Sequence, residues 1–317
     1  MLKQFDMPPR KRAATPGLSR LTVLAAGDDE MAFRDCALEL LASGHRRARE
    51  TALEALDDHP VAGTRDALRG LYFELSAQPD KLDPGAHLRI GVARLLLTGG
   101  DARDVDIGLR AAGTYEKTMG VDSTANLRSL GLRIIAAADP NLFPYVAVEH
   151  IDDSSDFSPE PANTALQLLA GTGNQLSVYQ WIVSGRRDAA LVEAALDLLD
   201  EAPAVVMSRC LTQLTLDAIA KKDEPLLTKL AETIVKRELD DSYPALRSIM
   251  QSSISKELYG YLALLFAGTN RPALLAMLEE LLEADILRRP AILEALRIRT
   301  TPEQAAILRR WEEDGGA

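Results

Sequence analysis

The sequence predicts an all-α chain, an α–α superhelix of stacked helical hairpins. One observation is a pattern that recurs. In LRSLGLRIIAAADP (127–140) the small residue Gly131 is followed by Leu132 and, after Arg133, by the apolar pair Ile134-Ile135; Pro140 then breaks the segment. The same device reads Ala52-Leu53-Glu54-Ala55-Leu56 before Pro60 and Val92-Ala93-Arg94-Leu95-Leu96 before Gly99-Gly100. It returns as Ala165-Leu166-Gln167-Leu168-Leu169 before Gly173, as Ala195-Leu196-Asp197-Leu198-Leu199 before Pro203, and more loosely as Tyr261-Leu262-Ala263-Leu264-Leu265 before Gly268. The steps between copies are about 40, 39, 34 and 30 residues, then about 66, or two of about 33. Stacked helical hairpins give a period in this range. A second observation is that no stretch sustains the period-2 alternation of Val, Ile and Thr that marks strands, so essentially no sheet is expected. A third is the composition: 47% hydrophobic but only 5% aromatic, which leaves Leu, Ala, Val and Ile to fill a long core between helices.

The elements follow in order. Residues 1–17 carry Lys3, Arg10, Lys11 and Arg12 against Asp6, with Pro8, Pro9 and Pro16; this reads as a disordered basic tail. The array is expected over 18–313. Asp28 and Asp29 are placed to cap a helix over 31–41 that Gly44 ends, with 46–57 as its hairpin partner. Helices follow over 64–76, then from Asp83-Pro84 through 97, where Pro at the first turn loses no hydrogen bond, and over 101–117. Asp122 or Ser123 is the expected cap of the helix in 127–140, and 141–150 is a short helix. The segment IDDSSDFSPEP (151–161) is the widest irregular stretch. Beyond it helices are expected over 162–170, 176–184, 188–200, 205–220, 225–238, 243–252, 255–267, 272–284, 290–297 and 302–313, with Trp311 covering the end of the core.

The formal net charge is -11, a surface that repels free nucleic acid unless its basic residues are segregated onto one face. Cys36 and Cys210 lie far apart in apolar contexts without a CxxC or a nearby His, so buried reduced thiols are expected rather than a disulfide or a zinc site. The N-terminus lacks an apolar signal core and no apolar run approaches the roughly 18–20 residues that span a bilayer; the expected compartment is the cytoplasm.

Three helices open on an apolar-Arg pair: Ala48-Arg49, Leu88-Arg89 and Leu127-Arg128, spaced 40 and 39 apart. With the small and apolar pairs that follow, they resemble the second helix of a HEAT repeat, over most of residues 30–300. At the same position the next two copies have Pro161-Ala162 and Leu191-Val192, so the Arg is lost there. The resemblance implies a helical solenoid, and HEAT arrays serve as scaffolds, transport receptors and a few enzymes. HEAT-like DNA glycosylases are basic and HEAT-type di-iron hydroxylases carry repeated His-Glu pairs; this chain is acidic, has four His and contains no His-Glu dipeptide.

The resemblance also implies that the second helices line a concave groove. The position between the two apolar pairs then reads Glu54, Arg94, Arg133, Gln167, Asp197, and the column at the helix starts reads Arg49, Arg89, Arg128, Ala162, Val192. Arginine suits bidentate recognition of carboxylate. The candidate partner-binding residues are therefore Arg94, Arg133, Arg89 and Arg128, holding an acidic segment of a protein partner. The competing reading has Arg49, Arg89 and Arg128 paired with acids such as Asp83 or Asp122 between neighbouring repeats, leaving Arg94 and Arg133 as the exposed contacts. The leading functional expectation is a non-catalytic scaffold or adaptor without cofactor or metal. The alternatives are a solenoid lyase or maturation factor that binds a small ligand or client protein in the groove, and nucleic-acid binding through the basic arm and the Arg stripe.

The remaining motifs carry less. Asp152-Asp153-Ser154-Ser155-Asp156 spaces oxygen ligands like a calcium loop but lacks the Gly such a loop needs at its sixth position, and reads as an acidic inter-repeat loop beside His150. Gly171-Thr172-Gly173 and Gly99-Gly100 follow helices and are stops, not phosphate loops. Tyr259, Tyr261 and Phe266 at helical spacing read as core.

Overall fold

The computed structural model describes residues 16–27, 29–118, 120–154, 158–184, 189–252, 254–298 and 301–314. The basic residues of the N-terminal tail through residue 15, the candidate cap Asp28 and residues 155–157 of the acidic loop lie outside them. The described chain is all-α. Its helices fall into two compact units, Met1–Thr172 and Gly173–Ala317.

The first unit contains α1 (Pro16–Ala25), α2 (Glu30–Ala42), α3 (Arg46–Asp58), α4 (Arg65–Ala77), α5 (Pro79–Leu82), α6 (His87–Leu96), α7 (Val105–Ala112), α8 (Ala125–Ala138), α9 (Phe143–Glu149) and α10 (Ala162–Gly171). Two series of neighbours organise it. Helices α3, α6, α8 and α10 pack one on the next, and α2, α4 and α7 do the same alongside them. The first series shares one register. Each helix buries apolar or small pairs a turn apart: Ala52 and Leu53, Val92 and Ala93, Gly131 and Leu132, Ala165 and Leu166. These pairs fall on the stripe that a 3.6-residue period turns inward, which is why the sequence repeats there.

Helices α7 and α8 meet backbone to backbone at Gly131. A Cβ at Gly131 would lie 2.5 Å from the Ala112 amide nitrogen and 2.7 Å from the Gly108 carbonyl oxygen. The small position of the repeat is therefore set here by backbone meeting backbone. Two local departures from the sequence reading concern helix starts. Helix α6 begins at His87 rather than at Pro84, because Gly85 and Ala86 take positive φ (80° and 59°) and Asp83 accepts hydrogen bonds from the Leu88 and Arg89 amides. The helix expected over 101–117 starts at Val105, after a 3-10 turn (Ala102–Asp104), and ends at Ala112; Lys117–Thr118 (β1) instead pairs antiparallel with Val121–Asp122 (β2).

The second unit contains α11 (Gln175–Val183), α12 (Ala189–Asp197), α13 (Ala204–Lys221), α14 (Glu224–Lys236), α15 (Tyr243–Gln251), α16 (Lys256–Thr269), α17 (Pro272–Ala284), α18 (Arg289–Ile298) and α19 (Pro302–Asp314). Here α12, α14, α16 and α18 pack in series and α13 packs on α15. Asp223 caps α14 and Ser255 caps α16, each accepting from an amide three residues on. The buried pairs are Ala195-Leu196, Leu230-Ala231, Leu262-Ala263 and Ala295-Leu296. The third pair sits one residue later than the sequence alignment placed it, so Tyr261 is exposed while Tyr259 and Phe266 are core. Among the described residues no helix is long and apolar enough to cross a membrane.

Candidate functional site

The arginines divide into an interior set and an exposed set. Arg49, Arg89 and Arg128 stand on the inward stripe of α3, α6 and α8, in the column that Ala162 and the second unit's Val192 fill with buried apolar side chains. A guanidinium on such a stripe must be fully paired or its burial costs several kcal/mol (roughly). Each one is. Arg49 donates from Nε to the Leu41 carbonyl at 3.0 Å and from Nη2 to both Glu74 carboxylate oxygens at 2.9 and 3.1 Å. Arg89 donates from Nε to Asp83 at 3.1 Å and bidentately to Glu116 at 2.7 and 2.8 Å.

Arg128 is the most enclosed, with 1% of its surface exposed. It donates to Asp122 and to Asp153, its Nε meeting Asp153 at 2.9 Å. Its remaining protons reach the Thr114 carbonyl and the Thr124 hydroxyl at 3.2 and 3.1 Å. The Tyr115 ring lies 4.1 Å from its guanidinium carbon, and Tyr115 donates its hydroxyl to Asp153 at 2.8 Å. Burial and the neighbouring Asp153 carboxylate push the Tyr115 hydroxyl up to about 12. Burial raises the Asp122 carboxyl, but the hydrogen bonds from Arg128 and from the Thr124 amide and hydroxyl, with the Arg128 charge, together outweigh this and hold it below its ordinary value.

The acids come from two places with a rule. Asp83 and Asp122 lie six residues before their arginine, in the loop that enters the helix. Glu74, Glu116 and Asp153 lie 25, 27 and 25 residues after it, on α4 or in the segments following α7 and α9. Each clamp thus ties a helix of one hairpin to the next. At the following step the arginine is gone and an acid remains: Glu160 accepts from the Ser129 hydroxyl of α8 at 2.7 Å and from the Thr164 hydroxyl of α10 at 2.6 Å. Burial would raise the Glu160 carboxyl, and the hydrogen bonds from Thr164, Ser129 and Asn163 bring it below the usual glutamate range. In the second unit arginines serve helix C-termini instead. Arg237 donates to the Leu199 and Ala202 carbonyls, Arg271 to that of Val235, and Arg288 to those of Met250 and Ser252. These positions satisfy orphan carbonyls and complement the negative end of the helix dipole.

The partner-binding expectation for Arg89 and Arg128 is corrected by this arrangement: both guanidinium groups are spent on internal carboxylates, because their positions face the neighbouring hairpin and not the solvent. The exposed set is the other column. Glu54, Arg94, Arg133 and Gln167 stand at one register position on α3, α6, α8 and α10, all exposed. Arg94 makes a single long contact with Asp57, 3.4 Å between two exposed groups, and Arg133 has no ion-pair partner among the described residues. Between α3 and α6 runs an open cleft of about 430 Å³, with Leu53, Leu88 and Ile90 at its floor and Arg46, Glu50 and Arg94 at its rim. Asp153 of the calcium-like segment is held by Arg128, Tyr115 and the His150 ring, which leaves it no freedom to serve a loop ion. Among the described residues no group of three or more His, Cys, Asp and Glu is placed to hold a metal ion.

Comparison of the chain with protein-family models, with curated proteins and with solved structures returned no match.

Proposed function

We propose that the chain is a non-catalytic adaptor of HEAT-like construction, acting in the cytoplasm, whose first unit binds an acidic stretch of a protein partner across α6 and α8. The observation that carries this reading is the pair Arg94 and Arg133. They occupy the same register position on two helices that pack against each other, both exposed, and Arg133 is without an internal counter-charge among the described residues. The arginines that hold the fold together are buried and paired, so these two are set apart by location. Their chemistry suits carboxylates, which a guanidinium meets through two parallel hydrogen bonds. The apolar floor of the adjoining cleft supplies an anchor site beside them, and such anchors, more than total area, set affinity.

The test is site-specific photo-cross-linking. A photoreactive residue in place of Gln167, next in the column, is irradiated in native extract and the cross-linked peptides are sequenced. The expected product is a discrete protein segment rich in Asp and Glu, lost when Arg94→Glu and Arg133→Glu are introduced together. A cross-link to a segment without acids, or one that survives the double reversal, rejects the reading.

A further inference from the structure

The column that carries Arg94 and Arg133 starts one helix earlier, at Glu54. Glu54, like Arg133, has no ion-pair partner among the described residues; on the same side of the cleft Glu50 is paired with Arg46 of its own helix, and Asp57 lies a turn beyond Glu54. Across three helices packed in series the face therefore presents acid, base, base. Packed helices lie about 8–10 Å apart. A β-strand cannot follow that spacing with one face, because residues three apart point to opposite sides. A polyproline-II segment can: it has three residues per turn and rises about 3.1 Å per residue, so every third side chain lies on one face at about 9 Å intervals.

We propose that this face reads an extended, polyproline-II-like peptide in which every third residue carries a charge in the order basic, acidic, acidic. The basic residue lies over Glu54 and the two acids over Arg94 and Arg133. The inference rests on the adaptor reading and narrows it, from an acidic stretch to a charge sequence with a fixed period. The exposed Arg94–Asp57 contact opposes binding little, since such pairs are weak, and Asp57 is left beside the peptide's basic residue when Arg94 turns to a carboxylate.

The experiment is fluorescence anisotropy on the full-length chain with three labelled peptides. One is Lys-Pro-Pro-Glu-Pro-Pro-Glu, in the proposed order. One is Glu-Pro-Pro-Lys-Pro-Pro-Glu, of identical composition and wrong in either chain direction. The third is Glu-Pro-Pro-Glu-Pro-Pro-Glu. The proposal expects the first to bind about tenfold more tightly than the second, as two exposed charge contacts turn from attractive to repulsive. In Glu54→Lys, whose fold is checked by circular dichroism, the preference moves to the third peptide. Equal binding of the first two, with both lost in Arg94→Glu/Arg133→Glu, overturns the charge order and leaves the adaptor reading standing. Binding that ignores the double reversal, or no binding of any probe, overturns both.

Discussion

Replacing Arg128 by Met measures what the interior clamps contribute. The substitution keeps a long apolar stem on α8 and removes the guanidinium, leaving Asp122 and Asp153 facing each other without their counter-charge. Breaking a buried ion pair by deleting one partner costs about 3–5 kcal/mol. The two carboxylate side chains are 24% and 20% exposed, so water recovers part of the loss and the lower end, about 3 kcal/mol, applies. For 317 residues unfolding together, at about 2.1 cal/mol/K of unfolding entropy per residue, that corresponds to a fall in Tm of roughly 4–5 °C. The assay is thermal and urea unfolding followed by far-ultraviolet circular dichroism, with Arg133→Met alongside. Arg133→Met should shift stability by no more than about 0.5 kcal/mol, as exposed positions do. A loss below about 1 kcal/mol for Arg128→Met, or equal losses for the two variants, refutes the division into interior and exposed arginines.

Other consequences follow from the same packing. Gly131→Ala drives a Cβ into the Ala112 amide and the Gly108 carbonyl; overpacking against backbone should cost about 1–3 kcal/mol, read as a lower urea midpoint, and an unchanged midpoint contradicts the α7–α8 contact. Glu160 and Asp122 both have folded pKa values below their ordinary 4.5 and 3.8. Their contribution is therefore complete above those values and drains away as pH falls through the folded ones. Denaturant midpoints taken from about pH 6 to pH 3 should drop on the acid side, less steeply in Glu160→Gln; identical slopes would remove Glu160 from the account. Cys36 and Cys210 are buried and in no disulfide, and burial is the main cause that pushes the Cys36 thiol up. A thiol-specific chromogenic reagent should titrate neither until denaturant is added, whereas prompt reaction of the native chain points to an open core.

Much of the architecture could be read from the sequence because apolar residues must return to one helix face every turn. Pro272–Ala284 begins and ends as Pro272 and the following turn indicate, and most other helices sit within two residues of their expected limits. The failures are physical. Helix α6 starts late because Asp83 caps across a Gly85-Ala86 turn with positive φ, a conformation that residue type alone does not reveal. The α16 register slipped by one because Tyr261-Leu262-Ala263-Leu264-Leu265 offers apolar residues to either side. The burial of Arg89 and Arg128 was signalled by Ala162 and Val192 at the same repeat position: an apolar residue there marks an inward column. Their partners could be anticipated only in part, since Asp83 and Asp122 are close in sequence while Glu116 and Asp153 are brought in by hairpin stacking. The exposed column of Glu54, Arg94, Arg133 and Gln167 was legible from the repeat alone, because the position between two buried pairs must point outward.

The dissociation constant of a labelled glutamate-rich peptide, measured by anisotropy for wild type, Arg94→Glu/Arg133→Glu and a reversal in the second unit, Arg309→Glu, tests the central claim most directly. The account predicts binding to wild type and to Arg309→Glu with equal affinity, weakened by added salt, and at least about tenfold weaker binding to the double variant. Equal affinity for all three proteins would contradict it and remove Arg94 and Arg133 from any recognition of acidic partners.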